Sequence, residues 1–296
     1  MKTCADCILC LLTRDLAAIP EDRGAAARTA YLRDAMRCAA DSDPALSTPE
    51  LSTQLAEVFN QHFGERRQKD FDTLKRIYNE RMLALEPQLR ATVAAAPDPL
   101  ADALRLARVG NYIDFAGRHT VSDDELQALL DQAYTEPLDA EVYAALRSDL
   151  ARAGRVLFLT DNAGEIVLDK LLIGQLQTQY PDAAITVLVR GAPILNDATL
   201  DDAHDIGLTD MVPVLGNGNG YPGTVRSALS AEAVALLDGA DVILSKGQAN
   251  FETLSGCGLN VYYLLLCKCP YFVRRFGVPR LTGMFVNERR LPTLDD

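Results

Sequence analysis

Residues 155–176 read RVLFLTDNAGEIVLDKLLIGQL. An apolar run with aromatic and β-branched members, residues 156–159, predicts a buried strand. The run stops at Thr160-Asp161-Asn162, turns at Gly164, and resumes with apolar residues at helical spacing. A strand feeding a helix through a tight turn is the unit of a parallel, helix-covered sheet. In such sheets ligands gather outside the carboxyl ends of the strands. The position of an aspartate and an asparagine at that point therefore bears on chemistry as well as fold.

Working outward, AITVLVR, MVPVLG, DVILSKG and GMFVNE are further short apolar runs separated by helical or turn-rich segments. They predict an α/β domain over residues 151–296, three layers deep, with a mostly parallel sheet. Residues 1–150 read as an all-helical domain. ALSTPELSTQLAEVFNQHF offers Ser47 or Thr48 as N-cap with Glu50 in the first turn. Apolar residues at three-to-four spacing, including Phe71, Leu74, Ile77, Met82 and Leu85, extend the pattern, and Ser122 caps an acidic first turn in SDDELQALLDQAY.

Composition narrows the class. The 296 residues suffice for one large or two ordinary domains, and 48% hydrophobic with 24% charged is usual for a globular chain. A net charge of −12 and a pI near 4.8 argue against a nucleic-acid backbone or an anionic membrane as partner. No apolar run approaches the roughly 20 residues of a membrane span. The short N-terminal apolar patch in MKTCADCILCLLTRDL is closed by Arg14 and Asp15, too early for a secretory signal. Seven cysteines, an odd number, read as reduced thiols, and the expected location is the cytoplasm. No motif bears on oligomeric state.

The strand ends carry the candidate chemistry. Asp161 and Asn162 follow the first strand, Arg190-Gly191 and then Asn196-Asp197 the second, and Lys246-Gly247-Gln248-Ala249-Asn250 a later one. Asp161, Asn162 and Asp197 form an all-oxygen set of the kind hard divalent cations take, Mg²⁺ and Mn²⁺ first, with Co²⁺ and Ni²⁺ as further candidates. Lys246 offers a point charge to a phosphate, and the glycine turns, GNGNGYPG among them, offer backbone N–H groups. A purely structural use of Asp161 as a cap and of Asn196-Asp197 as a turn accounts for either alone, but less readily for several strand ends of the same kind.

TDNAGEIVLDKLLI, VRGAPILNDATLDDA, SKGQANFETL and CILCLLTR together resemble the signatures of the damage-control phosphatase family, also called domain of unknown function eighty-nine, in its CxxC-containing archaeal and bacterial subfamily. The resemblance runs over most of the chain in the same order. It implies a helical N-terminal domain on a three-layer α/β domain, and metal-dependent hydrolysis of small phosphorylated metabolites, sugar phosphates or damaged phosphometabolites. The family's Asp-Asn pair and later Asp, its metal ligands, fall on Asp161, Asn162 and Asp197. Its phosphate-side Lys-Gly-x-x-Asn region falls on Lys246, Gly247 and Asn250, with Gln248 between them. GNYIDF resembles a segment that reaches the site from the helical domain, which nominates Asn111 and Asp114. The family's Asp-Pro-Tyr type segment is degraded here to QKDFDTLKRIYNE, so no substrate contact carries over to residues 69 to 79.

Further candidates are Glu165, to hold a water or favour the helix start, Arg190, for a phosphate oxygen or an ion pair, and Lys268, for the substrate or solvent. Cys7 and Cys10 match the subfamily's CxxC, and Cys4 extends it to CxxCxxC. Thiols three apart share a helix face, and buried or redox-sensitive thiols suit them better than a structural zinc short of four ligands. His62, His119 and His204 show no metal-ligand spacing. A haloacid-dehalogenase mechanism wants an aspartate at position 163, which is alanine, and a methyltransferase wants a glycine-rich first turn, where only Gly164 stands. A non-catalytic binding module for nucleotides or metabolite phosphates would use the glycines and Lys246 without the cation set.

Overall fold

A computed structural model describes residues 1–64, 71–111 and 123–291. The first half is helical: α1 (Ala5–Ala18), α2 (Ala25–Asp41), α3 (Thr48–Phe63), α4 (Phe71–Ala95), α5 (Pro99–Gly110), α6 (Asp123–Thr135) and α7 (Ala140–Leu150). Local chemistry sets several starts. Ser47 caps α3 in a reciprocal capping box with Glu50, as the sequence suggested. Asp98 caps α5 ahead of Pro99, whose missing N–H costs nothing at a first helical position. The expected cap Ser122 lies outside the described residues.

The second half alternates β1 (Arg155–Leu159), α8 (Glu165–Gln179), β2 (Ala184–Val189), α9 (Leu200–Asp205), β3 (Val214–Gly216), α10 (Ala231–Gly239), β4 (Val242–Lys246), α11 (Gln248–Leu254), β5 (Val261–Leu266), α12 (Pro270–Phe276) and β6 (Gly283–Asn287). The sheet order is β3-β2-β1-β4-β5-β6, parallel except for β6, which runs antiparallel to β5. The expected α/β class with a mostly parallel sheet is what forms. One strand escaped the sequence reading. Residues 261–266, VYYLLL, are all buried and so lack the alternation that marks a half-exposed strand.

Alternation along the strands divides the core. Val156, Phe158, Val242, Leu244, Tyr262 and Leu264 face a large cluster shared with α4 to α8. Leu157, Leu159, Ile243, Tyr263 and Leu265 face a second, with α10, α11 and α12. Each fully buried aliphatic side chain contributes about 1.5–3 kcal/mol, so the two layers together anchor every strand. The first cluster runs through residues on both sides of position 150, with α5 and α7 against the sheet, α4 packed on α8 and α6 on α5. A third, smaller cluster around Tyr31, Leu51, Leu55 and Phe59 belongs to α1, α2 and α3. The N-terminal amine donates to the Glu252 carbonyl at 2.7 Å, tying the start of the chain to α11.

Strand order reverses between β1 and β4, since the chain passes from β1 to β2 and β3 on one side and later to β4 and β5 on the other. Such a switch point opens a crevice above the strand ends. Asp161 and Gly247, just past β1 and β4, sit there together.

Candidate active site

Two glycines shape the turns at this edge. Gly164 caps α8 with φ 77° and ψ −54°, a conformation that only glycine adopts without strain. Gly247 has φ 80°, and a Cβ there would lie 2.0 Å from Asp161 Oδ2. Its backbone thus lies directly against the Asp161 carboxylate.

The two expected ligand loops meet. Asn162 pairs with Asp197 in an isolated antiparallel bridge, Ala198 N donates to the Asp161 carbonyl at 2.8 Å, and Ala163 N donates to that of Asn196 at 2.8 Å. Asp161, Asn162 and Asp197 are all buried. Asp161 Oδ2 accepts from Asn111 Nδ2 at 2.8 Å and from Asn162 Nδ2 at 2.9 Å. Asn111, the residue that ends α5, is fully buried and also donates to Glu165 Oε2 at 3.1 Å. Asp114 lies outside the described residues.

Arg190 spans the carboxylates. Its Nε donates to Asp197 Oδ2 at 2.6 Å, Nη1 to Asn250 Oδ1 at 3.2 Å, and Nη2 lies 3.8 Å from Asp161 Oδ1. Asn250 in turn donates to the carbonyls of Thr160 and Lys246, bracing β1 against β4. Burial, then the charges of Glu165 and Asp197, push the Asp161 carboxyl well above the usual range, with Arg190 and Lys268 pulling the other way. Lys268 is half-buried.

Two expectations need correcting. Lys246 does not point at the crevice. By strand alternation it follows Val242 and Leu244 towards α8, where it is 0% exposed and donates to Glu165 at 2.6 Å and Asp169 at 2.5 Å. Burial opposes the Lys246 ammonium, but Asp169 and Glu165 outweigh it and keep the lysine above its ordinary value. One ammonium serves two carboxylates, and burial holds Asp169 up at about 7. Second, the Gly247 N–H donates to the Leu264 carbonyl at 3.0 Å, and the Gly191 N–H to Asn219 O and Asn217 Oδ1, so these amides serve the fold. Gln248 Nε2 likewise turns to Glu252 Oε1 at 2.7 Å. The thiols three apart that meet are Cys4 and Cys7, with sulfurs 3.4 Å apart, while Cys10 is exposed.

The fit to a divalent cation rests on donor chemistry. Among the described residues, no three His, Cys, Asp or Glu converge as a metal cluster. The set here is instead two carboxylates and a carboxamide, all oxygen, with Glu165 nearby as a further like charge. Asn111 Oδ1 is buried and has no hydrogen-bond partner among the described residues. Crowded carboxylates and an orphaned oxygen suit a hard cation, and Asp161, Asn162 and Asp197 are the residues that can hold it.

A family model, the damage-control phosphatase ARMT1-like domain, matches residues 1–282. The chain belongs to this family. This family member is 35% identical over 207 residues to a damage-control phosphatase of Archaeoglobus fulgidus, covering 68% of this chain and 69% of the relative. It is 33% identical over 179 residues to a damage-control phosphatase of Pyrococcus horikoshii, covering 60% of this chain and 61% of the relative. Similarity thus spans about three fifths of the Pyrococcus protein. The crystal structure of a DUF89 family protein from Pyrococcus horikoshii shares the fold, with a TM-score of 0.77 at 24% identity over 97% of this chain and 99% of that one.

The sequence reading missed a group of residues on α4. Lys75 and Asn79 are buried, and both reach α9. Their signal was present: they lie on the same stripe as Tyr78, Met82, Leu89 and Val93, and polar residues on an apolar stripe are rarely idle.

Proposed function

We propose that this family member is a phosphatase that hydrolyses small phosphorylated metabolites with the help of a divalent cation held by Asp161, Asn162 and Asp197. The observation that carries this reading is the meeting of buried Asp161, Asn162 and Asp197 where the two loops bridge; burial, and then the charges of Glu165 and Asp197, lift the Asp161 carboxyl and favour a cation beside it. When bound, Mg²⁺, Mn²⁺, Co²⁺ or Ni²⁺ supplies a Lewis acid for phosphoryl oxygens and acidifies an attacking water.

The chain's own residues orient and balance. Arg190 Nη2 is a buried donor with no hydrogen-bond partner among the described residues, available to a phosphoryl oxygen at the crevice. Lys268 adds positive charge from β5's end. Glu165 accepts from Lys246, Asn162 and Asn111, so its oxygens are already engaged within the site. It fixes the Asn162 carboxamide and sets local charge. Lys246 works through Glu165 and not by touching phosphate.

The cytoplasm remains the proposed location, in keeping with seven unbonded cysteines, and a chain of net charge −12 is not proposed to bind nucleic acid. Among the described residues no helix is long and apolar enough to cross a membrane. The test is phosphate release from aryl and sugar phosphates by metal-stripped protein, with each of the four cations returned. Turnover restored by a cation and lost in folded Asp161→Ala and Asp197→Ala supports the proposal. Silence with every cation and both substrate classes defeats it.

A further inference from the structure

Asn79 joins the two loops that carry the candidate ligands. Its Oδ1 accepts the Gly164 N–H at 2.6 Å, at the turn that follows Asp161 and Asn162. Its Nδ2 donates to Asp202 Oδ1 at 3.0 Å, on α9, which follows Asp197. The orientation of the carboxamide is fixed by chemistry, since a backbone N–H can only donate and a carboxylate only accept. Asn79 is 3% exposed, so neither bond competes with bulk water.

The far end of this contact is itself rigid. Asp202 Oδ2 accepts from the Thr199 backbone N–H and hydroxyl, both at 2.8 Å, in the capping box that starts α9. Lys75, one helical turn before Asn79, places its ammonium 2.6 Å from the same oxygen. Gly164 stands at the N-cap of α8, where backbone donors have no partner within their own helix. A side chain from α4 therefore supplies the cap that α8 lacks, and simultaneously grips the neighbouring loop.

We propose that Asn79, backed by Lys75 and Asp202, is a positioning residue that sets the separation between the Asp161–Asn162 pair and Asp197. Asn79 thereby tunes the cation site in the α/β half without itself touching the candidate ligands. The part that concerns cation affinity rests on the proposed function above, while the part that concerns loop order does not.

The test uses the full chain with Asn79→Ala, Asn79→Asp, and the exchange variant Asn79→Asp/Asp202→Asn. The exchange keeps an acceptor for Gly164, a donor–acceptor pair between the two positions, and one carboxylate within reach of Lys75. Hydrogen exchange without metal is read first. Asn79→Ala is expected to speed exchange in peptides covering residues 161–166 and 196–202, with β5 unchanged. No selective change in those two loops overturns the clamp, whether or not the protein binds metal. Mn²⁺ affinity by calorimetry is read second. Both single variants are expected to weaken it about 10–100-fold, the usual effect of losing an outer support, and the exchange variant to recover most of the loss. Unchanged affinity in folded single variants, or a loss that the exchange fails to recover, overturns the positioning role. Wild-type protein that binds no Mn²⁺ defeats the proposed function instead, and leaves hydrogen exchange to decide the clamp.

Discussion

Lys246 Nζ lies 2.6 Å from Glu165 Oε1, and neither side chain has any exposed surface. Removing one member of a buried, hydrogen-bonded pair costs roughly 3–5 kcal/mol, because the partner is left charged in a dry place. Lys246→Ala leaves both Glu165 and Asp169 stranded and is expected to fall in that range by urea unfolding. Wild-type stability with impaired phosphate affinity would return Lys246 to the crevice.

Asp161 presents the opposite sign. Burial of the Asp161 carboxylate, and then the charges of Glu165 and Asp197, destabilise the metal-free protein, so Asp161→Asn is expected to raise its melting temperature in a chelator by a few degrees, an effect of about 1–2 kcal/mol. The same substitution is expected to abolish turnover and the stabilisation gained on adding Mn²⁺. A lower melting temperature in chelator would show that the hydrogen bonds from Asn111 and Asn162 outweigh the repulsion.

Glu252 gives a pH dependence away from the ligand residues. Burial pushes its carboxyl up to about 7, against the opposing pull of the Gln248 hydrogen bond and the N-terminal amine. A raised folded value means that the native state holds a proton the unfolded chain has released. The associated stability is present below about 4.5 and is lost as pH rises to about 7. Glu252→Gln keeps the neutral form at all pH values, so its advantage over wild type is expected to grow between those limits, to at most about 3 kcal/mol. Parallel stability curves would rule this out.

Gly247→Ala is expected to remove activity with only moderate loss of stability. The added Cβ meets the Asp161 carboxylate, and φ 80° with ψ 164° is a conformation open essentially to glycine that costs another residue about 1–3 kcal/mol. Measured turnover near wild type would mean that Asp161 can move aside without consequence.

The Cys4 and Cys7 sulfurs are close enough to bond after a small rotation. Burial raises Cys7 to about 11, so reaction at neutral pH is expected to be slow. Treatment with a disulfide oxidant should join Cys4 to Cys7, read by peptide mass mapping, with Cys10→Ser having no effect and Cys4→Ser preventing it. A Cys7–Cys10 link as the main product would contradict the geometry.

The strand–turn–helix at residues 155–176 was legible because each of its signals is local: an apolar run, a glycine at a positive φ, a helical apolar period. The Asp161, Asn162 and Asp197 set was legible for a related reason, since a parallel sheet delivers every strand end to one edge whatever the order of strands. The run VYYLLL was not: like VILSK it is buried on both faces and carries no period of its own, so only flanking turn signals could mark it as a strand.

What the chain alone could not state is direction. Lys246 and Asp161 both follow apolar strands, yet one turns inward to α8 and the other stays at the crevice, and only the pleat and the neighbouring helix settle which. Asn79 was hidden for a similar reason, being 85 residues from the Gly164 amide it caps. Local sequence determined the elements, their glycine turns and the type of donor atoms. Tertiary packing determined which charges face one another, because burial and Coulomb energies depend on distances that no sequence spacing contains.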